Sequence, residues 1–299
     1  MATYLTMPQT DAEPLGSVLR TLQLREISFG TYEGNNLNQV TGRVYGGQVF
    51  AQAVIAAAAT LGNGESDREI HSINAAFLRP GDLREPVHFE VEEILDGRSF
   101  STRIVHASQG GRMIFNARAS FQEVQPGVEH ESPTPHAPDP VSLASSTDFF
   151  ANLDLPVARM MNSTNAVDIR HVQPPLWVRP APATSEPNLI WFRLRSPLPE
   201  AGQTLQRALL AYATDQFMLE PIMRMHGMFW LDPAVSLATL DHQIWWHRDV
   251  DMSDWVLAEL SSPSAQGGRG LAVAKFFQKG RHVATMSQEG MVRRKDSRG

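Results

Sequence analysis

Apolar and polar residues alternate along several stretches of the chain, and a period of two predicts β-strands. The clearest stretch is 112–122, where Met113, Phe115 and Ala117 alternate with Arg112, Asn116 and other polar residues. Such alternation indicates a sheet with one buried face. Comparable patterns predict strands at 24–32, 71–78, 87–95, 99–108, 167–172, 189–195, 235–247, 255–261, 270–278 and 282–293.

Two helical segments interrupt these strands. Residues 48–61 are rich in alanine, which favours helix, and residues 203–219 carry apolar side chains at helical spacing. A strand precedes each helix and several strands follow it, so the order of elements repeats. Five prolines between Pro126 and Pro140 separate the two copies, because proline continues neither a helix nor a central strand.

The repeat predicts an α+β fold made of two similar units. In each unit one long helix would cover the buried face of a largely antiparallel sheet. We place the first unit at 1–125 and the second at 163–299. A proline-rich linker with one or two connecting helices would occupy 126–162.

The composition excludes several classes of function and indicates a cellular compartment. The 299 residues include 26 basic and 32 acidic side chains, and a net charge of -6 argues against a nucleic-acid binder. The chain has no cysteine, which excludes disulfides, thiol nucleophiles and thiolate metal sites and fits a reducing cytosol. The N-terminus lacks a secretory pattern, and no run reaches the ~18 apolar residues of a membrane span. These features predict a soluble, cytoplasmic protein without membrane contact.

Three polar residues lie at positions where the pattern predicts apolar ones. Asp215 falls on the apolar stripe of the second helix, and Gln288 shares the parity of buried residues in the last strand. Thr239 lies in an apolar strand. Each could be a solvated or satisfied structural residue, but together an acid, a hydroxyl and an amide can hold and activate a water molecule.

The first repeat offers a different contribution. Its helix has alanine where the second has Asp215, so chemistry that uses this carboxylate belongs to the second repeat. Gly46, Gly47 and Gln48 begin the first helix, and the backbone amides of Gly47 and Gln48 could stabilise an oxyanion there. The alternative is that the glycine pair only forms a tight turn into the helix.

The motifs in both halves resemble the acyl-CoA thioesterase II family. The resemblance runs from about residue 19 to 294 but is poor at 125–161. It rests on Tyr45-Gly46-Gly47-Gln48, Phe77-Leu78-Arg79-Pro80-Gly81-Asp82, Asp96-Gly97-Arg98-Ser99-Phe100, Ala211-Tyr212-Ala213-Thr214-Asp215, Ala238-Thr239-Leu240-Asp241-His242 and Ser287-Gln288-Glu289-Gly290. It implies a double hotdog fold and hydrolysis of fatty acyl-CoA without a metal, a cofactor or a covalent intermediate.

The same resemblance implies that Asp215, Thr239 and Gln288 bind the attacking water. His71 matches a family histidine that is sometimes considered catalytic, but we favour a buried structural histidine, because it lies in a strand between Ile70 and Ile73. Arg79, Arg98 and Arg269 are candidates for the CoA phosphates, or solvated surface charges. We also expect a homo-oligomer.

Two other functions stay open at this point. One is an enoyl-CoA hydratase on the same fold, although no acid and histidine pair has the expected spacing. The other is a non-catalytic acyl-CoA-binding protein, which the intact set of three residues disfavours. The sequence leaves acyl carrier protein thioesters open as substrates.

Overall fold

A computed structural model describes residues 3–4, 6–39, 42–61, 68–184 and 186–295. Within them the chain forms thirteen strands and six α-helices. The strands are β1 (Thr3–Tyr4), β2 (Arg25–Ser28), β3 (Thr31–Gly34), β4 (Arg68–Phe77), β5 (Val87–Asp96), β6 (Phe100–Gln109), β7 (Arg112–Glu123), β8 (Val167–His171), β9 (Asn188–Leu194), β10 (Val235–Trp246), β11 (Val256–Gln266), β12 (Arg269–Gln278) and β13 (Arg281–Arg294). The helices are α1 (Leu15–Leu22), α2 (Gly46–Ala59), α3 (Ser146–Ala151), α4 (Pro156–Thr164), α5 (Gln203–Thr214) and α6 (Glu220–Met225).

All thirteen strands belong to one antiparallel sheet. Its order is β1-β2-β3-β5-β6-β7-β4-β10-β13-β12-β11-β9-β8. The two halves of the chain meet where β4 pairs with β10. From that junction, β7, β6, β5 and β3 follow on one side, and β13, β12, β11 and β9 follow on the other. The second half therefore repeats the strand order of the first.

The repeat extends to a β-bulge at the same place in each half. The pairing of β4 with β7 shifts register after Ile70, and the pairing of β10 with β13 shifts after Thr239. Beyond each bulge, Ile73 pairs with Ala119 and His242 pairs with Gln288. A bulge moves the following side chains to the other face of the strand. These matched registers define which residues of the two halves correspond.

Helices α2 and α5 pack against each other. Helix α2 lies on β4, β5, β6 and β7, α5 contacts β4, and α6 lies on β11 and β12. Alanines make up much of the buried surface of α2, including Ala51, Ala53, Ala56 and Ala57. Small side chains let a helix approach its neighbours closely, and α2 is buried over almost its whole circumference. The start of α2 thereby faces the end of α5, where Tyr45 and Tyr212 make an edge-to-face ring contact.

Several predicted elements differ from the structure. The predicted strand at 24–32 is a hairpin of β2 and β3, because Gly30 turns the chain with a φ of 75°. The predicted helix at 203–219 ends at Thr214, and tight turns carry the chain to α6, where Pro221 lies in the first turn. Helix α1 was not predicted.

The proline-rich stretch forms no helix or strand between Glu123 and a short 3₁₀ turn, Pro140–Ser142. Helices α3 and α4 follow it. Residues 1–2 and 296–299, the ends of the two predicted units, lie outside the described residues. In the part of the chain that is described, no helix combines the length and apolar character needed to cross a membrane.

Candidate active site

Asp215 lies where α5 ends and points toward the first turn of α2. As the C-cap residue it leaves the regular helix, and only 8% of its side chain is exposed. Its Oδ2 accepts a hydrogen bond of 2.8 Å from the Gly47 amide. A helix N-terminus carries partial positive charge, so α2 stabilises the ionised carboxylate.

The close approach of α2 to α5 depends on two glycines. A Cβ atom on Gly46 would lie 2.9 Å from Oδ2 of Asp215, and one on Gly47 would lie 2.6 Å from the carbonyl oxygen of Tyr212. Neither distance is compatible with a side chain unless the neighbours move. The Tyr45 hydroxyl donates to the same Tyr212 oxygen at 2.6 Å and ties the two helix ends together.

Thr239 and Gln288 complete a hydrogen-bonded cluster around the other carboxylate oxygen. Nε2 of Gln288 donates to Oδ1 of Asp215 at 3.2 Å and to Oγ1 of Thr239 at 2.8 Å. The Thr239 hydroxyl lies 3.3 Å from the same Oδ1. Gln288 is fully buried on β13, as its parity with Met286 and Gly290 predicts. The structure thus brings together the acid, hydroxyl and amide that the sequence singled out.

Burial raises the pKa of Asp215 above the ordinary carboxyl value, because desolvation penalises the charged form. Three donors oppose this effect: the Gly47 amide, the Thr239 hydroxyl and the Gln288 amide. A carboxyl group with a raised pKa is a better proton acceptor once it is ionised. A carboxylate in this environment can accept a proton from a neighbouring donor.

The amides of Gly47 and Gln48 already have partners in this structure. Gly47 donates to Asp215, and the Gln48 amide donates to the carbonyl oxygen of Tyr45 at 3.1 Å. The buried Gln48 side chain bonds to Leu37 and Asn36 instead of facing the carboxylate. An oxyanion role for either amide requires a substrate oxygen to share or replace these bonds.

His71 and the three arginines have no hydrogen bond to the cluster among the described residues. His71 follows Ile70 at the bulge of β4 and corresponds to Leu240, not to a polar residue of the cluster. Arg79, Arg98 and Arg269 are exposed. Arg79 donates to the Met113 carbonyl oxygen, and Arg269 pairs with Glu289 at 3.0 Å. Their predicted role with CoA stays a prediction.

His242 was not singled out from the sequence, although it is fully buried beside this cluster. Its Nδ1 lies 4.0 Å from Oδ1 of Asp215. Simple alternation places Thr239 and His242 on opposite faces of a strand, and only the bulge between them puts both on the same face. The sequence offered one signal for His242, namely a polar residue within an otherwise apolar strand.

The corresponding positions in the first half are apolar. Ala58 corresponds to Asp215, because each lies the same number of residues after the first residue of its helix, α2 or α5. Ile70 precedes the bulge of β4 as Thr239 precedes that of β10, and Ala119 takes the place of Gln288. Among the residues that the structure describes, the polar cluster therefore lies in the second half and has no counterpart in the first. Across the described ranges no three His, Asp or Glu side chains are grouped to hold a metal ion.

Comparison with known families finds two matching domains. Residues 36–122 match the acyl-CoA thioesterase N-terminal domain, and residues 131–292 match the acyl-CoA thioesterase C-terminal domain. The second match includes Asp215, Thr239 and Gln288.

Relatives of similar length extend this likeness. Acyl-CoA thioesterase 2 of Haemophilus influenzae is 32% identical and covers 93% of this chain and 98% of its own. Acyl-coenzyme A thioesterase 8 of mouse is 32% identical over 94% of this chain and 91% of its own. An acyl-CoA thioesterase II of Mycobacterium marinum superposes with a TM-score of 0.77 at 34% identity, covering 93% and 99% of the two chains. A hot dog fold protein of Alicyclobacillus acidocaldarius, 16% identical, reaches a TM-score of 0.72 over 93% of this chain and 98% of its own, and it supports the fold alone.

Proposed function

The chain belongs to the acyl-CoA thioesterase II family, and on that premise we propose that it hydrolyses fatty acyl-CoA with a water held by Asp215, Thr239 and Gln288. The products are a free fatty acid and CoA. The observation that carries this mechanism is the hydrogen-bonded cluster in which Gln288 donates to both Asp215 and Thr239. A carboxylate, a hydroxyl and an amide side by side can supply the acceptor and the donors that one water molecule needs, once the water replaces one of the bonds that Gln288 makes to Asp215 and Thr239.

Water and the side chains of this protein account for every bond and proton in the proposed hydrolysis. The water oxygen forms a bond to the thioester carbon while Asp215 takes one of its protons. The tetrahedral intermediate then collapses with cleavage of the carbon–sulfur bond, and Asp215 returns the proton to the leaving CoA sulfur. Thr239 and Gln288 orient the water so that one lone pair faces the thioester carbon.

The N-terminus of α2 supplies the positive potential that the intermediate requires. Negative charge develops on the carbonyl oxygen when the water attacks, and backbone amides at a helix N-terminus stabilise such charge. The Gly47 amide already points into the site toward Asp215. In our proposal the carbonyl oxygen shares this donor, and Gly47 serves both the carboxylate and the oxyanion.

The chain is best divided into two hotdog units, 1–125 and 163–299, with 126–162 between them. The mirrored strand order about the β4–β10 junction and the matched bulges support this division. Within the described part of the chain the polar cluster lies in the second unit, so we propose one active site per chain, formed with the start of α2 from the first unit. A homo-oligomer and a cytoplasmic location remain predictions.

Incubation with decanoyl-CoA and a thiol reagent tests the function directly. Hydrolysis releases one CoA thiol for each fatty acid formed, and we expect multiple turnovers. A binding protein would release no thiol, and a hydratase would add water to an enoyl-CoA while the thioester stays intact. A parallel reaction with an enoyl-CoA tests the hydratase alternative. A parallel reaction with decanoyl acyl carrier protein tests whether thioesters of that carrier are also hydrolysed.

The acidic limb of the pH profile should report the ionisation of Asp215. Activity needs the carboxylate, so kcat/KM falls as pH falls through the raised pKa of Asp215. Gln288→Ala removes a donor that lowers this pKa. We therefore expect a reduced rate and an acidic limb moved to higher pH. Steady-state kinetics across pH measure both changes.

Glu289→Gln provides the matched control for this experiment. Glu289 is the next residue on β13 and pairs with Arg269 rather than with Asp215. Its replacement should leave the midpoint of the acidic limb in place. An unmoved limb in Gln288→Ala would argue that Asp215 is not the titrating base.

A further inference from the structure

Gly290 lies beside the polar cluster, and the mechanism so far gives it no role. It follows Gln288 by two residues on β13, faces the same side of the sheet and is buried. Across the strands it pairs with Thr239 on β10 and with Gly270 on β12. The inner face of the sheet therefore has no side chain at the position directly next to Thr239 on β13.

Leu219 occupies the space that a side chain at position 290 would need. A Cβ atom built on Gly290 would lie 2.7 Å and 3.0 Å from the two methyl carbons of Leu219. These methyl groups fill two of the three staggered positions about the last bond of the side chain, so rotation about that bond leaves at least one position occupied. Only 4% of Leu219 is exposed, and its side chain belongs to the core.

The first half of the chain fills the same position differently. Phe121 corresponds to Gly290, because each pairs with the residue before the bulge, Ile70 or Thr239. Phe121 is fully buried. This part of the fold therefore accommodates a large aromatic side chain from the strand itself. In the second half the strand leaves the space open, and Leu219 reaches it from the segment that follows α5.

A short hydrogen-bonded stretch joins Leu219 to Asp215. The amides of Phe217 and Met218 both donate to the carbonyl oxygen of Thr214 at 3.2 Å. The side chains of Phe217 and Met218 are fully buried. Because close-packed protein interiors have low compressibility and transmit strain, a shift of Leu219 away from the sheet would carry Asp215 with it.

From these contacts we propose that Gly290 is a positioning residue for the hydrolysis. It lets Leu219 reach the sheet and so holds Asp215 against the other two members of the cluster. The inference rests on the proposed function and adds the residue that sets the distance of the carboxylate from its donors. Oδ1 of Asp215 lies 3.3 Å from the Thr239 hydroxyl and 3.2 Å from the Gln288 amide. Both distances are at the long end for hydrogen bonds, so a small shift would break them.

Gly290→Ala places a methyl group against Leu219 and should move Asp215 away from its donors. A misplacement of about 1 Å can cost roughly 10²-fold in rate, and we expect kcat to fall by about tenfold or more. KM should change little, because the substitution adds no group to the surface that the substrate contacts. Release of CoA thiol from decanoyl-CoA measures both parameters.

The acidic limb of the pH profile separates positioning from stability. Hydrogen-bond donors of the cluster lower the pKa of Asp215, so a carboxylate moved away from them should titrate at higher pH. Burial raises the pKa of the neighbouring Tyr45 and Tyr212 and lowers that of His242 to about 3, so these three side chains stay neutral around neutral pH. An acidic limb moved to higher pH in Gly290→Ala therefore reports a displaced Asp215.

Leu219→Val should restore the activity of Gly290→Ala. Alanine adds one carbon atom at position 290 and valine removes one at position 219, so the double variant conserves the total volume, and such exchanges are tolerated best. We expect most of the lost kcat to return and the acidic limb to move back. Melting temperatures measured alongside identify a variant that fails to fold. If Gly290→Ala alone does not fold, the less crowded double variant should fold and retain most of the kcat.

Gly270→Ala is the matched control. Gly270 pairs with Gly290 on the side away from Thr239, and a Cβ atom built there would lie 2.8 Å from two carbons of Ile222 on α6. The crowding is as severe, but it lies one strand further from the cluster. We expect a lowered melting temperature with kcat near the wild-type value and an unmoved acidic limb.

Combination of Gly290→Ala with Asp215→Asn tests whether the glycine acts through the carboxylate. Changes that act through one group lose less together than the product of their separate losses. The proposal is overturned if folded Gly290→Ala keeps the wild-type kcat, if Gly270→Ala is equally slow, if the folded double variant with Leu219→Val stays slow, or if the losses with Asp215→Asn multiply. Asp215→Asn alone tests the proposed function, since normal turnover in that variant would contradict the mechanism whatever the result at Gly290.

Discussion

Asp215→Asn should remove most of the thioesterase activity and leave the fold intact. Asparagine keeps the size and one carbonyl oxygen of the side chain, so the bonds from Gly47 and Gln288 can persist in part. It cannot take a proton from water. General-base assistance contributes about 10²–10⁴-fold to a rate, and we expect kcat to fall by that factor. Release of CoA thiol from decanoyl-CoA measures the loss.

The stability of this variant provides an independent check. A carboxyl group whose pKa is raised by folding destabilises the folded state increasingly as pH rises from its unfolded pKa through its folded pKa. The neutral amide lacks this effect, so the melting temperature of Asp215→Asn at neutral pH should equal or exceed that of the wild type. Below the ordinary carboxyl pKa any such advantage should disappear. Normal turnover in the folded variant would contradict the assignment of Asp215.

Thr239 and Gln288 should contribute smaller factors than Asp215. Neither takes the proton, and each shares the orientation of the water with the other. Adding either Thr239→Val or Gln288→Ala to Asp215→Asn should therefore reduce the rate little further. Multiplicative losses in these double variants would show that the residues do not hold one common water.

Part of the cluster could be predicted because two of its members, Asp215 and Gln288, break a local pattern, whereas Thr239 is an ordinary strand residue. Asp215 interrupts an apolar helical stripe, and Gln288 occupies a buried position in the alternating part of β13, residues 284–290. Burying a polar group is costly, so such exceptions mark residues with a function or with a satisfied partner. The matching domains confirm the family resemblance, and that resemblance favours a function for these residues, which stays a prediction.

The spatial arrangement could not be predicted in the same way. A β-bulge after Thr239 changes which face of β10 the later residues occupy, and no residue type in that strand requires a bulge. The end of α5 at Thr214 likewise arises from tight turns within 213–220 rather than from a proline or glycine at that point. Both features decide what lies next to Asp215, and both depend on tertiary packing.

The sequence and the structure point to different roles for the glycines at the start of α2. The sequence suggested a source of free amides at Gly47, or a turn. In the structure the absence of a Cβ atom is equally important, since that atom would lie 2.6 Å from both the Tyr212 carbonyl oxygen and the Tyr45 hydroxyl oxygen. Those two oxygens are hydrogen-bonded to each other and join α2 to α5. A side chain at Gly47 would therefore push apart the two helix ends that form the site.

Gly47→Ala should consequently impair both stability and catalysis. Overpacking against backbone costs about 1–3 kcal/mol of unfolding free energy, because the oxygen of Tyr212 cannot move without its helix. The displaced amide would no longer hold Asp215 in place, and a misplacement of about 1 Å can cost roughly 10²-fold in rate. Denaturant unfolding and decanoyl-CoA kinetics measure the two effects.

Gly202→Ala is the matched glycine control for this prediction. Gly202 caps the start of α5, the helix that corresponds to α2, with a φ of -70° that alanine also adopts. No atom lies within 4 Å of a Cβ atom built there, so kcat should stay at the wild-type value. Equal losses in the two variants would point to a general effect of alanine at helix starts. A selective loss in Gly47→Ala is the result expected if the approach of α2 to Asp215 and Tyr212 builds the site, because Gly202 has no neighbour that its new methyl group could displace.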